Sequence, residues 1–347
     1  MDAITEFVSE YVRRPKYRQC LGLPEAQTES YKKLAQGEYN ANYVFIHPIS
    51  GDKLVLRINC GSQMHLSYQV SYEAQALSFL KQSGHTPDVV YVDEEAEYGV
   101  LVETYMAGKH LDYDDDEEMK NAAKCLADIH SLLFPKEDAV YCNPESIDND
   151  NRKMIAPVNS LEAILEECEK MFSCYENSNI ADDDTKTKIR RMLNGAWGFA
   201  ISTVCESPYR CCINTELNST NFLVDGKHVN LVDWEKPLYG DPAQDLGHFL
   251  APTTTFWKTD VVLDDKQIYQ FISDYVSAVD GRFDTEGIEE RTKAFILVTC
   301  MRGITWCSMA WLEYHRADRL LKNESTGLKI EQYLSEDFLN TIESTYM

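Results

Sequence analysis

The sequence predicts an α+β protein with two lobes, an N-terminal antiparallel sheet carrying one helix and a larger, mainly helical C-terminal lobe. The chain has 347 residues, enough for two domains at roughly 100 to 200 residues each. Its first hundred residues contain short β-rich runs separated by polar turns. Beyond residue 108, long stretches repeat apolar residues at helical spacing. We therefore expect an N-terminal lobe at 1–108 and a C-terminal lobe at 109–347.

The first lobe is predicted to contain two strand pairs with a helix between them. A short polar turn from Ile49 to Asp52 closes the first pair as a β-hairpin. Apolar residues then recur near helical spacing over 66–82, and Gly84 ends that pattern. The four strands are expected at 42–48, 53–59, 88–93 and 99–106.

The second lobe is predicted to be helical except for one β-rich segment at 222–233. The acidic run from Asp112 to Glu118 has Glu117 where a calcium loop needs glycine, so it reads as the solvated start of a helix. The helices are expected at about 114–133, 160–176, 182–204, 264–280 and 286–316.

Composition excludes several classes of protein. A formal charge of -24 has the wrong sign for binding a phosphate backbone, so nucleic acid is not an expected partner. The eleven cysteines include no C-x-x-C pair and fit neither a zinc site nor a disulfide framework. We find no signal peptide and no run of about 18 apolar residues. These observations predict a cytoplasmic protein without a membrane partner; oligomeric state stays open.

The segment 214–234 carries the residues most informative about chemistry. Asp225-Gly226 lies between two apolar runs and predicts a tight hairpin. Folding the chain about this turn brings Asn221 opposite Val232 and Asp233. An amide oxygen and a carboxylate at one hairpin mouth suit Mg²⁺, which leaves its other positions to water and phosphate. Glu216 lies in the loop entering the same hairpin and would face the same space.

The order of these residues resembles the pattern of the aminoglycoside phosphotransferase and choline kinase-like family. That pattern is His-x-Asp-x4-Asn, then a metal-binding Asp in Ile/Val-Asp-Trp/Phe, then Gly-Asp-Pro-x2-Asp-Leu. The resemblance covers nearly the whole chain and implies a bilobal protein kinase-like fold, with Mg²⁺ and ATP or GTP as cofactors. The matching residues here are Glu216-x4-Asn221, Asp233-Trp234, Gly240-Asp241-Pro242 and Asp245-Leu246.

The resemblance also implies residue roles. Asn221 and Asp233 would hold Mg²⁺, and the segment 37–42 would cover the triphosphate. Arg57 replaces the family's phosphate-contacting lysine, with Glu73 as its ion-pair partner, although a surface position for Glu73 is the alternative. Residues 103–106 would bind adenine, while core packing would equally explain Tyr105 and Met106. The implied nucleotide-binding residues are Gly37, Tyr39, Asn40, Asn42, Arg57, Glu73, Glu103, Tyr105 and Met106.

One departure from the family pattern bears on catalysis. Glu216 stands where the family has its catalytic aspartate, and Asn214 replaces the preceding histidine. The extra methylene of glutamate moves the carboxylate by more than about 1 Å. A misplacement of that size can lower a reaction rate roughly a hundredfold. Two interpretations follow: a phosphotransferase that uses Glu216, Asn221 and Asp233, or a pseudokinase or ligand-binding module that retains nucleotide binding.

The acceptor is predicted to be a small hydroxylated molecule that bears an amine. Trp306, Trp311 and Glu313 could form a cage for a cationic group, and core packing of the helix is the alternative explanation. Asp245 resembles a family residue that braces the catalytic loop. His130 is expected to be a hydrogen-bonded structural histidine.

Overall fold

A computed structural model describes residues 3–37, 39–62, 64–142, 153–202, 207–315 and 324–346. The helices are α1 (Ala3–Tyr11), α2 (Pro15–Leu21), α3 (Gln69–Leu80), α4 (Asp116–His130), α5 (Ser160–Glu176), α6 (Asp183–Ser202), α7 (Pro242–Leu250), α8 (Pro252–Thr259), α9 (Asp265–Val279), α10 (Ile288–His315), α11 (Glu324–Tyr333) and α12 (Glu336–Tyr346). The strands are β1 (Lys32–Gln36), β2 (Asn40–Ile46), β3 (Lys53–Asn59), β4 (Val89–Asp93), β5 (Gly99–Thr104), β6 (Lys109–His110), β7 (Ala139–Cys142), β8 (Met154–Pro157), β9 (Cys211–Ile213), β10 (Phe222–Asp225), β11 (His228–Leu231) and β12 (Leu238–Gly240).

An antiparallel sheet in the order β1-β2-β3-β5-β4 forms the N-terminal part. The predicted β2–β3 hairpin is confirmed, and Gly51 in its turn has a φ of +80°. Side chains alternate between the two faces of each strand. On β5, Leu101 joins the core that contains α3, whereas Val100 and Val102 join the core on the opposite face. The sheet is therefore covered by apolar packing on both sides.

In the N-terminal part, the structure adds two helices and a strand that were not predicted, so this part contains three helices instead of one. α1 buries Phe7, Val8 and Tyr11 against the outer face of the sheet. α2 begins at Pro15 and ends at Gly22, whose φ is +67°. β1 is exposed along its whole length. It therefore lacks the alternation of buried and exposed residues on which strand prediction depends.

The second part of the chain is organised around α10, which packs against α5, α6, α7, α8 and α11. α10 is long and apolar enough to cross a bilayer, which the sequence analysis overlooked, but 67% of its most apolar window is buried inside the protein. That burial is typical of a core helix. The core around α10 also includes the apolar residues of α3, so α3 connects the sheet to the helical part.

The chain passes from the first sheet to a second one at Gly108. Its φ is +144°, and a Cβ there would lie 2.7 Å from the carbonyl carbon of Leu223. Directly after Gly108, β6 pairs with β10, which gives a second sheet in the order β11-β10-β6. The position therefore requires glycine. The division into lobes at residue 108 stays a prediction.

The predicted long helices agree with α3, α4, α5, α6, α9 and α10 to within three residues at either end. Predicted residues 203–204 and 316 lie outside the described part of the chain. Asp115 caps α4 by accepting hydrogen bonds from two backbone N–H groups, so the acidic run is a helix start, as predicted. The helices α7, α8, α11 and α12 were not predicted. The prediction that 222–233 is the only β-rich segment of residues 109–347 is wrong, because β6, β7, β8, β9 and β12 are strands outside it. Both α7 and α8 are short and begin at a proline, Pro242 and Pro252.

The packing of α7 on α10 can be tested at Gly247. An added Cβ would lie 2.8 Å from the backbone carbonyl carbon of Phe295, so Gly247→Ala should lower the free energy of unfolding by about 1 to 3 kcal/mol. The matched control is Gly195 in α6, where an added Cβ meets nothing within 4 Å, and Gly195→Ala should raise it by about 0.5 to 1 kcal/mol. Urea unfolding midpoints measure both, and equal stabilisation by the two alanines would contradict the described packing.

Candidate functional site

The β10–β11 hairpin has the register that the sequence predicts. Phe222 pairs with Leu231, and Gly226 in the turn has a φ of +63°. One position beyond the strands, the backbone N–H of Val232 donates to the carbonyl of Asn221 at 2.9 Å. The predicted placement of Asn221 opposite Val232 is therefore confirmed.

A cavity of about 570 Å³, which we call the main cavity, lies between the sheet and the helical part. Glu216, Asn221 and Asp233 all line it, so the structure brings the three predicted catalytic residues together. The β1–β2 turn contributes Tyr39, and α8 and α10 contribute several of the remaining lining residues. Further lining residues are Asn218, Glu235, His248, Thr253, Thr254, Trp257, Lys258, Thr299, Arg302 and Trp306.

Asp233 leaves the hairpin with a left-handed backbone conformation, at a φ of +66°, which is uncommon for a residue other than glycine. Its carbonyl accepts a hydrogen bond from Nδ2 of Asn214 at 2.9 Å. Its side chain is 45% exposed, and Oδ1 accepts a hydrogen bond from Nη2 of Arg57 at 2.9 Å. The backbone turn and the arginine together hold the carboxylate at the cavity wall.

Arg57 is the centre of a buried cluster of charges. Its Nη1 lies 2.7 Å from Oε1 of Glu73, and its Nη2 lies 3.2 Å from Oε2 of Glu235. The predicted Arg57–Glu73 ion pair is confirmed, and Glu73 is buried instead of lying on the surface. Burial raises the pKa of Glu73 and of Glu103, although the guanidinium opposes the shift. With Asp233, four carboxylates surround one guanidinium, so the cluster has excess negative charge.

Glu235, which the sequence analysis missed, connects this cluster to the sheet. Its carboxylate accepts a hydrogen bond from the amide of Asn40, whose own oxygen accepts one from Asn59 at 2.9 Å. Its backbone carbonyl accepts a hydrogen bond from Nε2 of Gln69 at 2.6 Å. Burial, and then the charge of Asp233, raises the pKa of Glu235 to about 7. The sequence offered one indication that Glu235 belongs to the site, which is its position two residues after Asp233.

The backbone that enters the site is held by Asp245 on α7. The carboxylate accepts hydrogen bonds from the backbone N–H groups of Asn214 at 2.8 Å and of Thr215 at 2.7 Å. Thr215 has a φ of +72°. His130 lies 3.1 Å from the same carboxylate through Nε2 and 2.8 Å from the hydroxyl of Tyr275 through Nδ1. The predicted structural roles of Asp245 and His130 are therefore confirmed.

Glu216 is held by cations. Its Oε1 lies 3.3 Å from Nη2 of Arg302 and 3.9 Å from Nζ of Lys236. Arg302 also contacts Oε2 of Glu167 on α5 at 3.0 Å. Burial by itself would raise the pKa of Glu216, but Lys236 and Arg302 outweigh it, and the pKa is lowered. The carboxylate is therefore ionised at neutral pH.

The residues at the hairpin mouth fit the predicted Mg²⁺. In the part of the chain that the structure describes, no three His, Cys, Asp or Glu side chains form a metal-binding cluster. Mg²⁺ needs only one or two carboxylates besides water and phosphate. Asn221 donates its Nδ2 to the carbonyl of Glu216 at 3.1 Å, which leaves its amide oxygen as the ligand atom. Together with Asp233 and the excess negative charge around Arg57, this donor set suits a divalent cation.

The predicted triphosphate loop is shorter than expected. Gly37 and Tyr39 lie in the β1–β2 turn, where the N–H of Gly37 donates to the carbonyl of Asn40 at 2.9 Å. Asn40 and Asn42 belong to β2 and are not loop residues. Glu38, also predicted there, lies outside the described residues. Of these residues, only Tyr39 lines the main cavity.

Tyr105 and Met106 follow β5 and are absent from the residues that line the main cavity. The N–H of Tyr105 donates to the carbonyl of Lys53 at 3.0 Å, and the ammonium of Lys53 lies 3.4 Å from the centre of the Tyr105 ring. The sulfur of Met106 lies 3.9 Å from the hydroxyl of Thr104. Both residues are only partly buried and belong to neither hydrophobic core, so the core-packing alternative is not confirmed, and the adenine contact stays a prediction.

The aromatic wall of the main cavity differs from the predicted cage. Trp306 lines the cavity and makes an edge contact with Trp257, with ring centres 5.4 Å apart. Tyr333 also makes an edge contact with Trp257, with ring centres 5.5 Å apart. Trp311 instead donates its Nε1 to Glu331 at 2.9 Å and is not among the lining residues. The helical spacing of Trp306 and Trp311 did not indicate which of them would line the cavity.

Arg302 and Lys236 are further site residues that the sequence analysis missed. A charged residue inside the long apolar pattern of α10 was the signal for Arg302, because an arginine is rarely buried without a partner. Lys236 gave no signal of its own. Its closeness to Glu216 depends on how the chain after Asp233 folds back.

His248 predicts a pH dependence of stability. Burial, reinforced by the charge of Arg302, lowers its pKa to about 4. In the unfolded chain a histidine has a pKa of about 6.5, so it binds a proton at a higher pH than the folded His248 does. Lowering the pH therefore stabilises the unfolded state and lowers the free energy of unfolding. Between about pH 7.5 and 5, the natural protein should lose about 2 kcal/mol more than His248→Gln. Urea unfolding at the two pH values measures the difference, and equal losses would show that His248 is protonated in the folded protein.

Comparison with known proteins agrees with this geometry. The sequence profile of the phosphotransferase enzyme family matches residues 30–280. No curated protein sequence matches the chain. Among solved structures, a spectinomycin phosphotransferase in complex with ADP and spectinomycin is 12% identical, with a TM-score of 0.61 over 94% of each chain. An amicoumacin kinase in complex with AMP-PNP and Ca²⁺ is 12% identical, with a TM-score of 0.63 over 98% of this chain and 94% of that one.

An ethanolamine kinase from Plasmodium vivax is 14% identical, with a TM-score of 0.62 over 97% of this chain and 95% of that one. Likeness at such low identity shows the fold, and it confirms the predicted α+β, protein kinase-like class. The family profile covers most of the chain, including the sheet and the cavity residues Glu216, Asn221 and Asp233, whereas the cavity residues of α10 lie beyond its end at residue 280. The chain therefore belongs to the phosphotransferase enzyme family.

Proposed function

We propose that this protein is a nucleotide-dependent phosphotransferase that moves the γ-phosphoryl group of ATP or GTP to the hydroxyl of a small acceptor. The observation that carries the proposal is the main cavity, in which Glu216, Asn221 and Asp233 face one space beside the β1–β2 turn. The first residue supplies a carboxylate for the acceptor. The other two supply oxygen ligands for the metal that accompanies the nucleotide.

Each charged residue has a separate task in this proposal. Asn221 and Asp233 would hold Mg²⁺, which neutralises charge on the phosphates. Arg57, already hydrogen-bonded to Asp233, would contact the phosphates with its planar fork. Tyr39, in the β1–β2 turn, would lie over the nucleotide. The buried Arg57–Glu73 pair keeps the guanidinium in position.

Glu216 would orient the acceptor hydroxyl and accept its proton as the new O–P bond forms and ADP or GDP departs. The lowered pKa of this carboxylate keeps it ionised, which is the form that accepts a hydrogen bond from a hydroxyl. Arg302 contacts Oε1 and Lys236 lies near the same oxygen. These contacts restrict the longer side chain, so positioning by Arg302 offsets part of the cost of replacing aspartate.

The acceptor wall supports a small molecule that bears an amine. Trp257 and Trp306 both line the main cavity and make an edge contact with each other, and aromatic rings attract cations. The carboxylates of Glu216 and Asp233 add negative charge to the same space. Spectinomycin and ethanolamine, named with two structurally similar proteins, are small hydroxylated molecules of this kind.

We also propose a reducing cytoplasm as the location of the protein. The nine cysteines whose side chains the structure describes are free, and six of them are buried. Buried thiols without a partner are typical of proteins that are not stabilised by disulfides.

The metal site is tested by Asp233→Asn. This variant keeps the shape of the side chain but removes a carboxylate charge, so Mg²⁺-dependent ADP release with a responsive acceptor should fall roughly a hundredfold or more. The matched control is Asp225→Asn at the exposed tip of the same hairpin, which should keep the natural rate. Acceptors are screened by coupled ADP release, with aminoglycosides, choline and ethanolamine first. Full activity of Asp233→Asn would contradict the assignment.

A pseudokinase or ligand-binding module is the second candidate, favoured by the ion pairs that occupy both Glu216 and Asp233. It predicts that nucleotide with Mg²⁺ raises the melting temperature while no acceptor releases ADP. The double variant Asn214→His, Glu216→Asp, which restores the family residues, would then gain turnover. Measurable turnover by the natural protein with any acceptor rejects this candidate, and failure to bind nucleotide in calorimetry rejects both.

A further inference from the structure

His248 is a polar residue of the main cavity that the proposed mechanism does not use. It lies on α7, three residues after Asp245, which holds the backbone just before Glu216. Residues three apart on a helix are neighbours on its surface, so His248 lies near the same loop. The charge of Glu216 acts on the imidazole, and the imidazole acts on the carboxylate. The ring is therefore close to the proposed site of phosphoryl transfer.

The imidazole of His248 makes no hydrogen bond within the described part of the chain, and both ring nitrogens are accessible to solvent. The residue is only partly buried, and its exposed surface lines the main cavity and an adjoining cavity of about 340 Å³. A neutral imidazole has one N–H donor and one bare nitrogen that accepts. Polar groups in protein interiors are normally hydrogen-bonded. Both nitrogens are therefore available to a ligand.

The ring of His248 is uncharged at neutral pH. Burial, reinforced by the positive charges of Arg302 and Lys236, lowers its pKa to about 4. The same two cations disfavour an ammonium group beside the ring. A fully ionised phosphate has no proton to donate to the bare nitrogen. A hydroxyl group, in contrast, carries no charge and donates one hydrogen bond, so it is the group that fits this nitrogen.

The hydroxyl at His248 cannot be the one that receives the phosphoryl group. In the proposed mechanism, the reacting hydroxyl gives its only proton to the ionised carboxylate of Glu216. That hydroxyl has no second proton for the bare nitrogen of His248. The hydrogen bond to the ring therefore requires another donor on the same acceptor molecule.

Thr254 provides a second uncharged hydrogen-bonding group on the wall of the main cavity. The residue is only 8% exposed, yet its hydroxyl is accessible and has no hydrogen-bond partner among the residues that the structure describes. The cavity volume of about 570 Å³ is in the range that accommodates drug-sized ligands. Both the space and the wall chemistry therefore suit an acceptor with several hydroxyls.

We propose that His248 is a specificity-determining residue that binds a second hydroxyl of the acceptor, apart from the hydroxyl that receives the phosphoryl group. This hydroxyl donates to the bare ring nitrogen. The inference rests on the proposed function for the identity of the ligand as an acceptor, but binding is measured without turnover. A compound that carries a single hydroxyl lacks this contact, so the site discriminates against it.

The first test is calorimetric titration of the full chain with two groups of probes, with and without Mg²⁺ and AMP-PNP. Spectinomycin, kanamycin and glucosamine carry several hydroxyls, whereas ethanolamine and choline carry one. At least one probe of the first group should bind at least about tenfold more tightly than both probes of the second group. Equal or tighter binding of ethanolamine or choline, or no binding of the first group, would overturn the proposal.

Substitutions of His248 test the residue itself with the tightest probe of the first group. His248→Phe keeps a ring of similar shape without nitrogen, so binding should weaken at least about tenfold. His248→Asn and His248→Gln place an amide near one or the other ring nitrogen, and one of them should recover most of the affinity. The matched control is His110→Phe, because His110 is exposed on β6 and lines neither cavity. Natural affinity in His248→Phe would contradict the assignment.

A second measurement covers the case in which His248→Phe fails to fold. Diethyl pyrocarbonate modifies uncharged imidazoles, and mass spectrometry identifies the modified histidines of the natural protein. The bound probe should slow modification of His248 and leave His110 as reactive as before. Unchanged modification of His248 with the probe bound would reject the contact. A probe that binds and protects His248 but releases no ADP counts against the phosphotransferase proposal alone.

Discussion

The buried contacts of Arg57 are the constraint on which the rest of the site depends. This residue of β3 contacts Glu73 of α3 through one nitrogen, and Asp233 and Glu235 through the other. Three parts of the chain that are distant in sequence are thereby held by a single guanidinium. Removing one partner from a buried ion pair costs about 3 to 5 kcal/mol, because the remaining charge is left without compensation. A displacement of the sheet, of α3 or of the end of the hairpin therefore disturbs the contacts of the other two.

Local signals allowed much of this arrangement to be predicted. The four residues of the turn at Asp225-Gly226 determine the register of the hairpin. Asn221 could therefore be placed opposite Val232 without any tertiary information. The long helices follow from the spacing of their apolar residues, since burial of one face repeats every turn. The resemblance to a family then related Arg57 to Glu73, two residues whose contact no local pattern would indicate.

The remaining features depend on contacts between distant segments. Trp306 and Trp311 lie on the same helix, yet of the two only Trp306 lines the main cavity, because the fold decides which face of α10 meets α8. Arg302 contacts Glu216, although the two residues are 86 positions apart in the sequence. β1 is exposed throughout, so no hydrophobic alternation marks it. Periodicity identifies an element but does not identify its neighbours.

Asp245 accepts hydrogen bonds from the backbone N–H groups of residues 214 and 215, which lie just before Glu216. The course of the backbone at this point is thus set by a carboxylate from another helix and not by the side chain of residue 216. Exchange between aspartate and glutamate there changes the reach of the acid while the loop keeps its path. In evolutionary terms, such a brace lets the reactive position vary without a penalty to folding, so divergent chemistry can arise on an unchanged scaffold.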